Sequence, residues 1–438
     1  MRTFVITVFL AVVTTTWAQQ PTDTVAATPQ KENKFTIDLN ILNRGEIRRG
    51  GLSSEKDGDD MAAFIIERTL IGMGYERGIL SSRVTAQHSG TWGSEETNSF
   101  NIYEAWVQLK SPKGFFTKIG RQDLSYDDQR IFGADHWAMT AESHDALVLG
   151  FENKRHKIHL MGAYNQNIKN RNGGTYFSGG LQPYKAMEAL WYHYEIPEVP
   201  LDISLIGMNV GMQSSEDIPD TCTYQQQLVG TYIKYHQKKF SAEMAFYYQM
   251  GKEENGLPIN AWMTSAKVHY RPSLSFTGYV GYDYLSGDKN FNVPPKGMIG
   301  MMRHDKIRGF TSIFGSHHKF YGAMDFFYLT TYYGGFTPGL QNAYIGGIWK
   351  PNKKLTFDLS YHYLAVAVKL DDAKRGLGHE LEASASYQLM KDVRVSTGYS
   401  FMRGTDTMVY LKRAKDDHQL QWAWLMLSVS PKVFTTMW

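Results

Sequence analysis

The chain of 438 residues holds one cysteine, Cys222. A secreted chain with a single thiol can form no internal disulfide, so its closure must come from backbone hydrogen bonding. Proline is scarce, at 14 residues, against 40 glycines. No apolar run after the first residues approaches the roughly 20 residues that a membrane helix needs. Charge of one sign is also lacking: the formal balance is +3, too small to imply a nucleic-acid partner. HExxH and GxSxG motifs are absent. Glu55–Asp60 (EKDGDD) lacks a glycine at the sixth position of a calcium loop and reads as a solvated external loop. The pair His317-His318 has no further ligands spaced for a metal. No cofactor or metal is expected.

What is present is alternation. Leu355, Phe357, Leu359, Tyr361 and Tyr363 alternate with Thr356, Asp358, Ser360 and His362. The same pattern returns over Leu381–Leu389 and, after the tight turn Lys391-Asp392, over Val393–Phe401. A period of two marks strands with one oily and one wet face. Soluble strands average roughly five to six residues. Strands of roughly nine to eleven are what a tilted membrane crossing requires. Aromatics are 14% of residues and mean hydropathy is −0.38. A barrel with a polar lumen hides its apolar face in such an average.

Residues 1–18 read as a secretory signal: Arg2, an apolar core Phe4–Val13, then Thr16-Trp17-Ala18, with cleavage expected before Gln19. Residues 19–33 read as a polar periplasmic leader, and 34–438 as one barrel domain. Short gaps, such as Ser111–Gly114 and Pro351–Lys354, take turns with long ones, such as Tyr126–His144 and Gly404–His418. Short periplasmic turns and long outer loops are the layout of an outer-membrane barrel. Aromatics flank the short turns (Tyr75, Phe115, Phe151, Trp349), as an interfacial girdle would. The segment Phe320–Tyr333 mimics a strand, but only an even number of extra crossings fits between Leu274–Leu285 and Asn342–Trp349. The fold expected is therefore an all-β, antiparallel transmembrane barrel of 18 strands, or 20 with two more crossings. In the 18-strand form, 286–341 is a long excursion at the outer rim that can fold into the pore. The last strand, Gln419–Val429, stops before Pro431, which separates it from the terminal aromatic Trp438.

If oily positions face lipid, Asp38, Arg44, Arg83, Glu104, Lys118, Glu243, Lys267, Asp283, Asp358, Glu382 and Arg394 face the lumen. On the lipid side each would cost roughly 2–4 kcal/mol near the midplane. Rings of Arg and Lys select anions, and rings of Asp and Glu select cations. Both signs are present, so the same residues also read as paired wall residues. The densest cluster is Lys118–Trp137, with Lys118, Arg121, Asp123, Asp127, Asp128 and Arg130. Guanidinium groups grip planar carboxylates with paired hydrogen bonds, as a sugar acid would offer. Alternatively the cluster is a salt-bridged scaffold for its loop. The expected pore-lining set is Arg44, Arg83, Glu104, Lys118, Arg121, Asp123, Arg130, Lys267, Asp358 and Arg394, with His318, Lys319 and Asp325 on a constricting loop.

The chain resembles the alginate export family of outer-membrane porins. The resemblance rests on Gly120-Arg121-Gln122, Gln129-Arg130, His318-Lys319-Phe320 with Met324-Asp325, Gly339-Leu340-Gln341 and Tyr361-His362-Tyr363. It implies an 18-stranded barrel, a C-terminal aromatic assembly signal read by the barrel-assembly machinery, and passage of an acidic polysaccharide through a basic lumen. The mixed inward charge departs from that last property. The function expected is a passive outer-membrane channel for small or anionic solutes, extending to such a polymer. The rivals are a lipase-like barrel enzyme and a plugged adhesin.

Overall fold

The computed structural model describes residues 33–50, 60–134, 136–167, 176–177, 179–214, 222–288, 305–328, 332, 337–370, 373–412 and 419–438. The signal, all but the last leader residue, and the acidic run 55–59 lie outside that set. The alternating segments become the antiparallel strands β1 (Asn33–Arg49), β2 (Ala62–Arg77), β3 (Leu80–Thr91), β4 (Ser99–Lys110), β5 (Phe115–Gln122) and β6 (His144–Glu152). Then follow β7 (His156–Tyr164), β8 (Ala186–Glu195), β9 (Leu201–Gln213), β10 (Thr223–His236), β11 (Phe240–Lys252) and β12 (Pro258–Tyr270). The set ends with β13 (Phe276–Leu285), β14 (Leu340–Trp349), β15 (Leu355–Ala365), β16 (Gly376–Met390), β17 (Val393–Gly404), β18 (Gln419–Val429) and the short β19 (Lys432–Met437). Among the described residues there is one α-helix, α1 (Asp406–Lys412), in the loop after β17. It is far too short to cross a membrane.

From β1 to β18 each strand pairs with its sequence neighbours, and β1 pairs with β18 from Ile41↔Val429 to Arg49↔Gln421. The sheet is thus closed and leaves no edge to template aggregation. The strand β13 pairs with β14 along its whole length, Phe276↔Trp349 to Leu285↔Leu340. No extra crossing intervenes, so the crossing count is 18 rather than 20. The segment Phe320–Tyr333 is no strand where it is described: a 3-10 turn at His317–Lys319 leads into turns.

Pro431 interrupts the closing strand without ending it. The partner shifts register between Ile37 and Asp38, the Pro431 carbonyl accepts from Leu39 N at 3.1 Å, and β19 resumes the ladder along β1. Pro431 keeps the register of β18, opposite Leu39, and lacks only the return donor; the bulge falls two residues on, at Val433, between Asp38↔Lys432 and Ile37↔Phe434. Trp438 exchanges both backbone hydrogen bonds with Asn33, at 3.0 and 3.1 Å. The expectation that Pro431 isolates the terminal aromatic is therefore corrected.

Outward positions carry the oil: Leu149, Leu205, Val280, Ile345, Leu359 and Leu425 are all exposed. The girdle pairs also form, with Phe115–Phe151 at 4.7 Å and Trp349–Phe357 at 5.4 Å between ring centroids. The apolar core lies inside, where loops fold back into the barrel. Phe132, Phe310, Phe314, Tyr321, Phe326 and Phe327 are buried there. A parallel bridge, Phe132↔Phe314, and stacked rings 5.5 Å apart join the loop after β5 to the 286–341 excursion. The described part of that excursion packs against the loop after β5 through Phe314 and Phe132.

Candidate functional site

The two inward loops meet at Arg130. Its guanidinium bonds Asp128 at 2.8 Å, Asp283 of β13 at 2.7 Å and the Tyr321 hydroxyl at 2.7 Å, and lies 4.0 Å over the Phe320 ring. Burial opposes its charge, but Asp283, Tyr321 and Asp128 outweigh that and hold its pKa well above the ordinary value. Burial pushes the Asp128 carboxyl up despite the arginine. Neighbouring Asp127 is pushed up to about 6 by burial and accepts from Trp191 Nε1 at 3.1 Å.

A second latch lies beside it. Trp137 is sandwiched between Arg44, 4.1 Å away, and His318, stacked at 4.4 Å and 9°. His318 Nδ1 bonds Asp325 at 2.8 Å. Arg44 also pairs with Glu46 at 2.7 Å. Lys319 donates to the Asp128 carbonyl at 3.0 Å, and burial lowers its pKa.

Below these latches is a cavity of about 650 Å³. Strand register builds its wall. Lys234↔Glu243 and Glu243↔Lys267 are direct cross-strand neighbours on β10, β11 and β12, so two ammonium groups flank one carboxylate. Lys267 lies 4.5 Å over the Tyr279 ring, and Tyr279 donates to Asp358 at 2.9 Å. Across the lumen, Ser384, Ser386, Ser396, Gly398 and Ser400 line the cavity. Their small side chains on β16 and β17 are what leave the space open. Glu382 accepts from Ala323 N and from the Ser360 hydroxyl. Four cationic side chains (Arg130, Lys234, Lys267, Lys319) and six carboxylates (Asp127, Asp128, Glu243, Asp283, Asp358, Glu382) line it.

The site residues named from sequence fall into three groups. Arg130, Lys267, Asp358, His318 and Lys319 line the cavity, and Asp325 holds His318 from behind. Arg83 is on the inner wall but spent on Asp38, at 2.8 and 2.9 Å, and Glu104, at 2.9 Å. Gly72 makes room for it, since a Cβ there would come within 2.4 Å of that guanidinium. Lys118 lies 4.2 Å over Trp106, with Asp123 and Glu104 as its nearest charges. Arg394 faces inward near the short-turn end, 3.1 Å from Gln388.

Arg121 is the correction. It shares the outward phase of Ile119 and pairs with Asp145, also outward, through two bonds of 2.8 Å. Lys118 and Gln122 point inward, so the residue between Gly120 and Gln122 must point out. Sequence reasoning missed Lys234, Tyr344 and the serine wall as one constellation. The phase of each strand was the available signal, but which strands face one another across a lumen was not.

A family profile described as "Alginate export" matches residues 75–376, which is 302 of 438 residues. The chain belongs to the alginate export family. Similar solved structures are Pseudomonas aeruginosa OccK2 (OpdF), at 12% identity over 91% of this chain and 98% of that one, TM-score 0.61. Acinetobacter baumannii OccAB1 matches at 11% identity over 91% and 97%, TM-score 0.60. Pseudomonas aeruginosa OccK5 (OpdH) matches at 12% over 93% and 100%, TM-score 0.59. At such identities these likenesses show the fold. No curated protein matches this alginate export family member significantly by sequence. Family and fold together make it an outer-membrane channel for small or anionic solutes.

Proposed function

We propose that the channel passes hydroxyl-rich, carboxylate-bearing solutes of single-sugar size, passively and without chemistry. The observation that carries this reading is the cavity beneath the Arg130 latch, with Lys234 and Lys267 on one wall and serines opposite. Its volume is that of sites taking one small molecule. Ammonium groups meet the solute's carboxylate, while Asp358, Glu382 and the serine hydroxyls accept or donate to ring hydroxyls. Phe320, Tyr279 and Tyr344 offer ring faces. Arg44, Arg83 and Arg130 act as scaffold, because each is committed to carboxylates. A polymer would need the inward loops to withdraw. The reading includes removal of residues 1–18, a periplasmic leader over 19–33, and insertion by the barrel-assembly machinery.

Planar-bilayer recording tests it. Conductance steps should be blocked by a uronate at concentrations where a neutral hexose has no effect. Lys267→Ala with Lys234→Ala should shift the reversal potential toward cations. Absence of steps would remove the channel, and equal block by the neutral sugar would remove the lysine assignment.

A further inference from the structure

The outer wall carries a second cavity that the transport path does not use. It measures about 730 Å³ and opens at the long-loop end of β12, β13 and β15. Its floor faces outward: Trp262 and Tyr284 alternate with the inward, buried Ala261, Met263, Asp283 and Leu285. The two rings stack across the strand pair, 4.8 Å apart at 22°. Above them stand Arg308, Lys369 and Arg375, and among the described lining residues there is no carboxylate.

Arg308 is held in place by its backbone. Its carbonyl accepts from Ser286 Oγ at 2.7 Å, the same Oγ accepts from Trp262 N at 2.8 Å, and its N–H reaches Asp288 at 3.0 Å. Its guanidinium bonds Asp305, at 3.1 and 3.3 Å. Asp305 is two-thirds exposed (67%), and so exposed a pair contributes little and yields to a better anion. Lys369 and Arg375 are exposed at the ends of the loop joining β15 to β16. Val366 N donates to the Arg375 carbonyl at 2.9 Å at the base of that loop.

Long loops mark the external rim of such a barrel. At that level the protein meets the headgroups of the outer leaflet, where aromatics sit at the interface and cations draw anionic lipid. We propose that this pocket holds the phosphate-bearing headgroup of an outer-leaflet glycolipid. The Arg308–Lys369–Arg375 group takes the phosphate, and the Trp262–Tyr284 pair takes a sugar face. Arginine matches phosphate bidentately, lysine as a point charge. The site is independent of the solute reading, since it lies on the opposite face of the wall.

The test uses full-length protein in nanodiscs, with lipid retention read by native mass spectrometry. Three probes are compared: lipid A with its phosphates, the same lipid dephosphorylated, and inorganic phosphate alone. The phosphorylated lipid should be retained preferentially. Lys369→Gln with Arg375→Gln should weaken retention roughly 25-fold, about fivefold for each cation removed. Heat-modifiable gel migration shows that the variant barrel is folded, and its conductance should match the parent. Equal retention by parent and variant, equal retention of the dephosphorylated lipid, or saturation by inorganic phosphate at the lipid's concentration would each overturn the proposal.

Discussion

Replacing Arg130 by alanine tests whether the two inward loops are locked by one side chain. Arg130 and Asp283 are both almost wholly buried, with side chains 6% and 2% exposed. Removing the arginine leaves Asp283 with only the Asn342 amide, 2.9 Å away, and leaves Asp128 without its guanidinium. Breaking a buried pair by deleting one partner costs about 3–5 kcal/mol. At 1.4 kcal/mol per decade, that multiplies the undocked loop population by about two to three and a half orders of magnitude. The barrel ladder is untouched, so the cost falls on loop docking and leaves global unfolding alone. Single-channel recording should show larger or noisier conductance. Limited proteolysis should cut within 305–328 faster, while the heat-modifiable gel shift stays in place. Asp283→Asn in the Arg130→Ala background should recover part of the docking, because it removes the orphaned charge. An Arg130→Ala variant with unchanged conductance and unchanged cleavage would refute the lock.

Three further outcomes follow from the geometry. Arg121→Ala should leave conductance and ion selectivity unchanged, since Arg121 faces outward with Asp145; an altered reversal potential in bilayers would place it in the pore after all. Gly120→Ala should destabilise the barrel by about 2 kcal/mol or more, measured by urea unfolding in detergent, because Gly120 has φ +121° and its Cβ would lie 2.1 Å from the Ala105 carbonyl oxygen. Burial against the Tyr332 ring, 3.7 Å away, pushes the Lys412 ammonium down to about 7. Between that value and a lysine's ordinary one, the undocked loop holds a proton that the docked loop does not. Docking of α1 should therefore strengthen as pH rises above 7 and be weakest below it. Amide-exchange protection over 406–412, corrected for intrinsic rate, should rise from pH 6 to 9, and Lys412→Met should flatten that profile.

Much of the fold was legible because membrane strands advertise themselves by length and phase. The phase also placed Arg83, Lys267 and Asp358 on the inner wall. Counted from Lys118, the same phase turns Arg121 outward, although the density of charge around Gly120-Arg121-Gln122 points inward. A proline removes a ladder donor, and only the register of β1 reveals that Pro431 keeps its place opposite Leu39, with the bulge two residues on at Val433. The division of arginines into scaffold and lining was not legible. Arg44 stacks on Trp137 and Arg83 bridges Asp38 and Glu104 through contacts spanning up to 93 positions of sequence. No local pattern encodes which carboxylate neutralises which cation.

The seam between β1 and the β18–β19 ribbon joins residues almost four hundred positions apart, as in Asn40 Nδ2 bonding Ser430 at 2.8 Å. Contacts of such separation form late, after the loops between them have been brought together. Until the last ribbon docks, the opening strand presents a row of bare amide groups to any passing chain. Residues 419–437 therefore act as the zipper's final teeth, and a polypeptide stalled before them is the form in which aggregation should begin.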